Sequence, residues 1–336
     1  MGGKILITGA SGFIGGFLVE KALGMGLETY AGVRKSSNRD YLRDERIHFI
    51  DLFFSDKKKL KAQLEEFTAQ HGKFDYIIHN AGITKSIRPD DFYKVNFSQT
   101  VNFIDALIDA NAVPKKFILM SSLSVMGPGD ERDYAPILLS HPAKPNTVYG
   151  KSKLLAEEFL KSKPNFPFVV LRPTGVYGPR EKDYFMMVKT ILSGFDVSAG
   201  FQEQRLTFIY VRDLVDAAFL ALASPLERKT YFVSDGKVYT DAKYTSLVRE
   251  ILGKKMVIRL KIPLFIIKAV SFVAELISRI TQKPSTLNRD KFKIMKQRNW
   301  ICETEPLKND LGFSAKYDLE AGLKESIQWY KEQGWI

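Results

Sequence analysis

The chain is poor in cysteine, in histidine and in long apolar runs, and each shortage removes a class of protein. Cys302 is the single cysteine among 336 residues, so an intrachain disulfide framework is excluded and a reducing cytoplasm is the expected location. His48, His71, His79 and His141 are the four histidines. None stands at metal-ligand spacing, so no metal site is expected. No apolar run reaches the ~20 residues needed to span a bilayer. The first residues lead straight into KILIT without the zones of a secretory leader. Acid is also in deficit: 38 Asp and Glu face 50 Lys and Arg, a formal net charge of +12. The excess is local. Between Lys254 and Arg298 twelve Lys or Arg stand against Glu275 and Asp290, a net of +10. Such a stretch suits an acidic substrate, an anionic membrane surface or nucleic acid, or is simply a solvated basic face.

What is present is ordinary globular composition, 45% hydrophobic and 26% charged, enough for one large domain or one with a small lobe. Lys4–Thr8, Glu28–Arg34, Ile47–Leu52, Asp75–Asn80, Lys116–Ser122 and Phe168–Arg172 read as short buried strands. Helical patterns lie between them, near Phe13–Met25, Asp56–Gln70, Pro89–Asn111 and Tyr149–Lys163. That alternation predicts an α/β Rossmann fold, a doubly wound parallel sheet with helices on both faces and ligands beyond the carboxyl ends of its strands. Residues 1–178 are expected to be mainly the dinucleotide-binding domain. Residues 179–336 are expected to be mainly a smaller C-terminal substrate-binding lobe, with core elements returning near 208–223. Asp213 is expected to cap the helix there. Between Leu264 and Gln282 the polar residues Lys268, Ser271, Glu275, Ser278 and Gln282 form one narrow helical stripe on an otherwise apolar surface. This predicts a mostly buried helix packed into the substrate lobe; the alternative is contact with a membrane interface or a lipid-like substrate.

Two motifs carry chemistry. Thr8-Gly9-Ala10-Ser11-Gly12-Phe13-Ile14-Gly15 leaves a strand and opens a helix. Its glycines suit a tight turn, close approach of a pyrophosphate and helix-on-strand packing, with the helix N-terminus facing the phosphates. Candidate cofactor contacts are Gly9, Ser11, Gly12, Phe13, Ile14 and Gly15. The second strand ends in Arg34-Lys35-Ser36, where an acid would select NAD; Arg34 suits the 2′-phosphate of NADP, the alternative being an exposed loop arginine. NADP is therefore the expected cofactor, with NAD as the alternative. Asp51 and Leu52 lie where the adenine would rest, and Asn80-Ala81-Gly82 would let the backbone approach the cofactor. The second motif is Tyr149-Gly150-Lys151-Ser152-Lys153. Tyr149 and Lys153 share a helix face, so the lysine charge would lower the phenol pKa and Tyr149 could exchange a proton with a substrate oxygen. Ser122, in the Met120–Ser124 segment after the fifth strand, would hold that oxygen. Ser121 and Ser124 read as turn or capping residues.

With these motifs the chain resembles the extended short-chain dehydrogenase/reductase family, also called the NAD-dependent epimerase/dehydratase family. The resemblance runs through TGASGFIG at 8–15, DL at 51–52, SSLSVMG at 121–127, YGKSK at 149–153, LRPTGVYGPR at 171–180 and FIYVRDLVDA at 208–217. It implies that Ser122, Tyr149 and Lys153 are catalytic, that Tyr149, Lys153 and Pro173 lie by the nicotinamide, and that Asn96 is a recurrent structural or catalytic asparagine. It also implies a homodimer through the helices near 90–110 and 149–163. The chain departs from the sugar-nucleotide branches. Leu123 and Ser124 stand where dehydratases carry an Asp-Glu pair, Gly175 where epimerases often carry Asn, and Leu206 where they carry Arg. The LRPTGVYGP segment, the apolar helix and the ending SIQWYKEQGWI look nearer the dihydroflavonol reductase and 3-beta-hydroxysteroid dehydrogenase branches.

Three functions follow. The first is an NAD(P)-dependent alcohol/ketone oxidoreductase acting on a bulky, largely apolar substrate, steroid- or flavonoid-like, with or without an acidic group. The second is a nucleotide-sugar 4-epimerase. The third is a cofactor-sensing or binding protein without catalysis, against which the intact Ser122, Tyr149 and Lys153 set argues. No nucleic-acid motif accompanies the basic stretch, so no nucleic-acid partner is expected.

Overall fold

Alternate side chains of each inner strand pack into different layers, and that alternation builds the molecule. The computed structural model describes residues 2–282, 285 and 287–336. In β1 (Lys4–Thr8) Ile5 and Ile7 face one core while Leu6 faces the other. The chain continues through α1 (Phe13–Gly24), β2 (Glu28–Gly32), β3 (His48–Ile50), α2 (Lys57–His71) and β4 (Tyr76–His79). The helix expected over 89–111 is not uniform. It starts as α3 (Pro89–Phe92), widens to π-helical spacing over Tyr93–Ser98, and resumes as α4 (Gln99–Asp109). β5 (Lys116–Met120), α5 (Val148–Lys161) and β6 (Phe168–Pro173) follow.

Six strands lie where the sequence puts them, most ending one or two residues earlier. A seventh was not expected. After β7 (Gly175–Tyr177), α6 (Lys182–Leu192), β8 (Phe195–Ala199), β9 (Arg205–Leu206), β10 (Phe208–Tyr210) and α7 (Val211–Ala223), β11 (Lys229–Val233) returns to the main sheet beside β6. The parallel order is β11-β6-β5-β4-β1-β2-β3, the doubly wound arrangement with its reversal between β1 and β4. One apolar layer joins the sheet to α1 and α7, the other to α2, α4 and the end of α5. Asp213 does not cap α7, which has Tyr210 at its N-cap. Its carboxylate instead accepts the amides of Lys316 and Tyr317 at 3.1 and 2.9 Å, pinning a distant loop to the helix.

The remaining chain is built from β12 (Tyr239–Thr240), α8 (Asp241–Ile251), β13 (Ile258–Ile262), α9 (Leu264–Thr281), α10 (Arg289–Met295), α11 (Glu305–Leu311) and α12 (Leu319–Glu332). A third core of tyrosines and aliphatics, Tyr177, Tyr210, Tyr244 and Tyr330 among them, holds α6, α8 and α12 together. The expectation for α9 is overturned. Ser271 and Ser278 of its polar stripe are buried against the protein, Glu275 is half-buried and Lys268 and Gln282 are exposed, while Phe265 and Ile280 are 73% and 75% exposed. The hydroxyl of Ser271 bonds the Ile267 carbonyl of its own helix at 2.7 Å, so it can be buried without losing a partner. Among the described residues no helix is long and apolar enough to cross a membrane.

Candidate active site

The glycines of the first turn divide their work. Gly9 adopts φ +65°, and a Cβ there would lie 2.8 Å from the Ala81 Cα. A Cβ at Gly15 would run into the Gly9 carbonyl. These two let α1 start tight against the ends of β1 and β4. Gly12 is exposed, forms the N-cap of α1 and offers no side-chain cap. The first amides of α1 are thus left facing outward beside Ser11, an arrangement that fits the diphosphate of a dinucleotide. Asn80 donates to the Gly9 carbonyl at 3.5 Å. Beneath the turn, Thr8 Oγ1 lies 2.9 Å from His79 Nδ1 and accepts the Ala81 amide at 3.1 Å; His79 Nε2 is 3.0 Å from Thr100 Oγ1. Burial, with the nearby Lys153 charge, pushes the His79 pKa down to about 3, so the ring is a neutral strut.

At the β2 and β3 ends Arg34 is exposed, and Asp51 accepts the Lys35 amide at 3.1 Å. The Asp51 carbonyl holds the Gln63 amide at 2.9 Å, and Leu52 is buried. The acid just after the third strand is therefore tied to the loop after the second, at the residue next to the arginine.

The sequence-separated members of the second group do meet. Thr147 caps α5 by accepting the Gly150 amide at 3.0 Å. A side chain at Gly150 would collide with the Ser124 carbonyl, so glycine here lets the helix lie against the β5 loop. Ser122 Oγ accepts the Ser124 amide at 3.2 Å and lies 2.9 Å from Ser124 Oγ. Ser122 is thus itself the cap of the short turn Leu123–Val125, the part assigned from sequence to its neighbours. Burial pushes the Tyr149 phenol up to about 12, and the nearby Ser122 hydroxyl pulls against it. Phe92 packs edge-on to the Tyr149 ring at 6.3 Å. Lys153 is buried and donates to the Met120 carbonyl at 2.8 Å; burial lowers its pKa to about 8, with Glu157 opposing. Lys153 is thus anchored on the β5 backbone, and the phenol that its charge was expected to lower is raised by burial. A Cβ at Gly82 would lie 3.0 Å from Asn96 Oδ1 and 3.2 Å from Lys153 Nζ, which brings the β4 loop, the π-helical turn and α5 to one point. Asn96 clamps Ile83, accepting its amide at 2.8 Å and donating to its carbonyl at 3.0 Å, and donates to Ser152 at 3.1 Å. Its role in the structure is to hold the loop. Pro173 ends β6, paired in register with Val233.

One cluster escaped the sequence reading. Glu157, one turn beyond Lys153, is buried and accepts Arg172 Nε and Nη2 at 3.0 and 2.7 Å and Ser121 Oγ at 2.5 Å. Ser121 is therefore neither turn former nor cap. The signal available was the helical spacing of Glu157 from Lys153 and an arginine inside a buried strand. A second tie comes from α10: Asp290 accepts the Val148 amide at 2.7 Å, one residue before Tyr149.

Comparison with known proteins agrees with this arrangement. Residues 5–233 match the NAD dependent epimerase/dehydratase family. The chain is similar to UDP-glucose 4-epimerase of Vibrio cholerae, 26% identical over 97% of this chain and 94% of that one. It is also similar to ceramide reductase of Caulobacter vibrioides, 24% identical over 99% of this chain and 96% of that one. An enzyme of Bordetella bronchiseptica solved in complex with NAD and UDP superposes with a TM-score of 0.77 at 20% identity, over 99% and 96% of the two chains. A parallel sheet of this order, a glycine turn at its reversal and a matching family over two thirds of the length lead to one conclusion: the chain belongs to the NAD-dependent epimerase/dehydratase family, among the extended short-chain dehydrogenase/reductase enzymes.

Proposed function

We propose that the enzyme interconverts a secondary alcohol and a ketone, with Tyr149 exchanging the proton at the substrate oxygen. One observation carries this: Gly150 lets α5 lie against the loop after β5, which puts Tyr149 and Lys153 beside the Ser122 segment at the carboxyl end of the sheet, with Lys153 anchored on Met120 and the glycine turn nearby. A bound nicotinamide would supply or accept the hydride. Ser122 already accepts from the Ser124 amide, so its own proton is free to point at the reacting oxygen. Tyr149 donates to that oxygen in reduction and takes the proton back in oxidation. Lys153 holds positive charge beside the phenol and the site of the cofactor ribose. Arg34 supports NADP, while the family and the relative solved with NAD support NAD.

Two substrate classes fit. The first is a nucleotide sugar epimerised at one carbon by oxidation, rotation and reduction on the opposite face, as the Vibrio relative's name implies. The second is reduction of a bulky apolar ketone. It is favoured by Gly175, where a Cβ would strike the Tyr184 hydroxyl and lie 3.1 Å from the Phe208 ring, leaving no room for asparagine, and by the ceramide reductase relative. The steroid- or flavonoid-like ring expected from sequence finds no counterpart among these relatives. The test is to purify the chain, measure retained nicotinamide by absorbance, and titrate with NADPH and NADH. Retained NAD with interconversion of UDP-hexose epimers establishes the first reading. An empty protein turning over NADPH with apolar ketones establishes the second. Absence of any dinucleotide binding refutes both. The expected homodimer through α4 and α5 is checked by sedimentation in the same preparation.

A further inference from the structure

One face of the molecule carries the wrong polarity for water. Among the described residues, twelve of the twenty-four exposed large hydrophobic side chains lie between Met256 and Ile280. Phe265, Val270, Phe272, Val273, Leu276 and Ile280 of α9 are all about half exposed or more. At 100° per residue they lie within an outward arc about 160° wide. The opposite side of the helix, with Ile267, Ser271 and Ser278, is buried against the protein. A patch of this kind on a monomer marks an interaction surface. Its surroundings say with what. Lys254, Lys255, Lys261, Lys268 and Lys296 are exposed in the same stretch of chain, whose net charge is +10. A second copy of this face would bring like charge against like charge, whereas an anionic lipid surface accepts the apolar arc and the lysines together. The helix has the composition to lie in a bilayer surface but not to cross one.

We propose that α9 docks on an anionic bilayer, its apolar arc among the upper acyl chains and the flanking lysines on lipid phosphates. Arg289 of α10 pairs with Glu275 of α9 at 2.8 Å, and Asp290 holds the first turn of α5. The docked surface is therefore tied to the helix that carries Tyr149. This inference is independent of the substrate readings above.

The experiment is flotation of the purified full chain with vesicles of phosphatidylcholine alone and of equal phosphatidylcholine and phosphatidylglycerol, at low and high salt. The wild type is expected to float with the anionic vesicles and to be released by salt. The triple variant Phe265→Ser, Phe272→Ser, Ile280→Ser is expected to bind at least about tenfold more weakly, with its thermal unfolding and dinucleotide binding unchanged. Should the triple variant unfold, Ile277→Trp reports instead, through a blue shift of its emission on adding anionic vesicles. No flotation with either vesicle, undiminished binding by a folded triple variant, or an unshifted Ile277→Trp emission overturns the proposal. So does a wild-type dimer in sedimentation that the triple variant dissolves while neither binds lipid, because the face would then be a self-interface.

Discussion

Replacing Glu157 with Gln removes one charge from the layer beneath the proposed active site and leaves its volume nearly unchanged. The Arg172 guanidinium stays buried and loses its carboxylate partner. Removing one member of a buried pair costs about 3–5 kcal/mol, because the uncompensated charge remains out of water. That is a large share of the 5–15 kcal/mol typical of a whole domain. Urea unfolding at 25 °C should show the midpoint falling with an unchanged slope. Burial by itself would raise the Glu157 pKa, but Arg172, Lys161 and Ser121 hold it below the ordinary 4.5. The stability it provides is therefore present above the unfolded pKa and is lost as pH falls through the folded one. The gap between wild type and variant should close in acid. The double variant Glu157→Gln, Arg172→Met should recover part of the loss, since no charge is then stranded. A loss under about 1 kcal/mol, or a double variant no better than the single, would refute the reasoning.

Three further outcomes follow from the same geometry. Tyr149→Phe should lower turnover by about 10²–10⁴-fold while dinucleotide affinity, measured by fluorescence titration, stays near wild type; a near-native rate would remove Tyr149 from the reaction. Lys153, lowered to about 8 by burial, loses its charge as pH rises through that value, so activity should fall on the alkaline side and Lys153→Arg should move that limb upward; an unmoved limb assigns it to another group. Arg34→Asp should shift the NADPH to NADH preference in kcat/KM toward NADH by at least about tenfold, from loss of a charge-assisted phosphate contact; an unchanged ratio makes Arg34 a loop residue and no more.

Local signals account for much of what could be read beforehand. Strands buried on both faces leave near-continuous apolar runs, which is why β1, β4, β5 and β6 were legible almost to the residue. The glycine turn and the Tyr149–Lys153 pair were legible because each is a contiguous motif whose spacing is set by backbone geometry. β11 was not, since KTYFV is a short run like many others and becomes a strand only through pairing with β6. The π-helical turn at Asn96 was equally hidden. Its widened spacing serves the clamp on Ile83 and Ser152, and both partners come from elsewhere in the chain. From sequence, capping falls to Ser121 or Ser124, whereas Ser122 forms the cap and Ser121 meets Glu157. Their roles separate only once Glu157 stands over one and Tyr149 near another.

The sequence by itself determined the fold class, the family and the residues of the proposed site, because those rest on periodicity and on motifs a few residues long. Tertiary structure alone decided which groups are charged, which hydroxyl meets which partner, and which way α9 faces. Periodicity divides a helix into an apolar and a polar side; it does not say which side meets the protein. In α9 Ser271 satisfies itself on its own helix and goes inward with Ser278 and Ile267, and Phe265, Phe272 and Ile280 are left outside. That orientation is a property of the surface the helix packs on, which no reading of the helix alone contains.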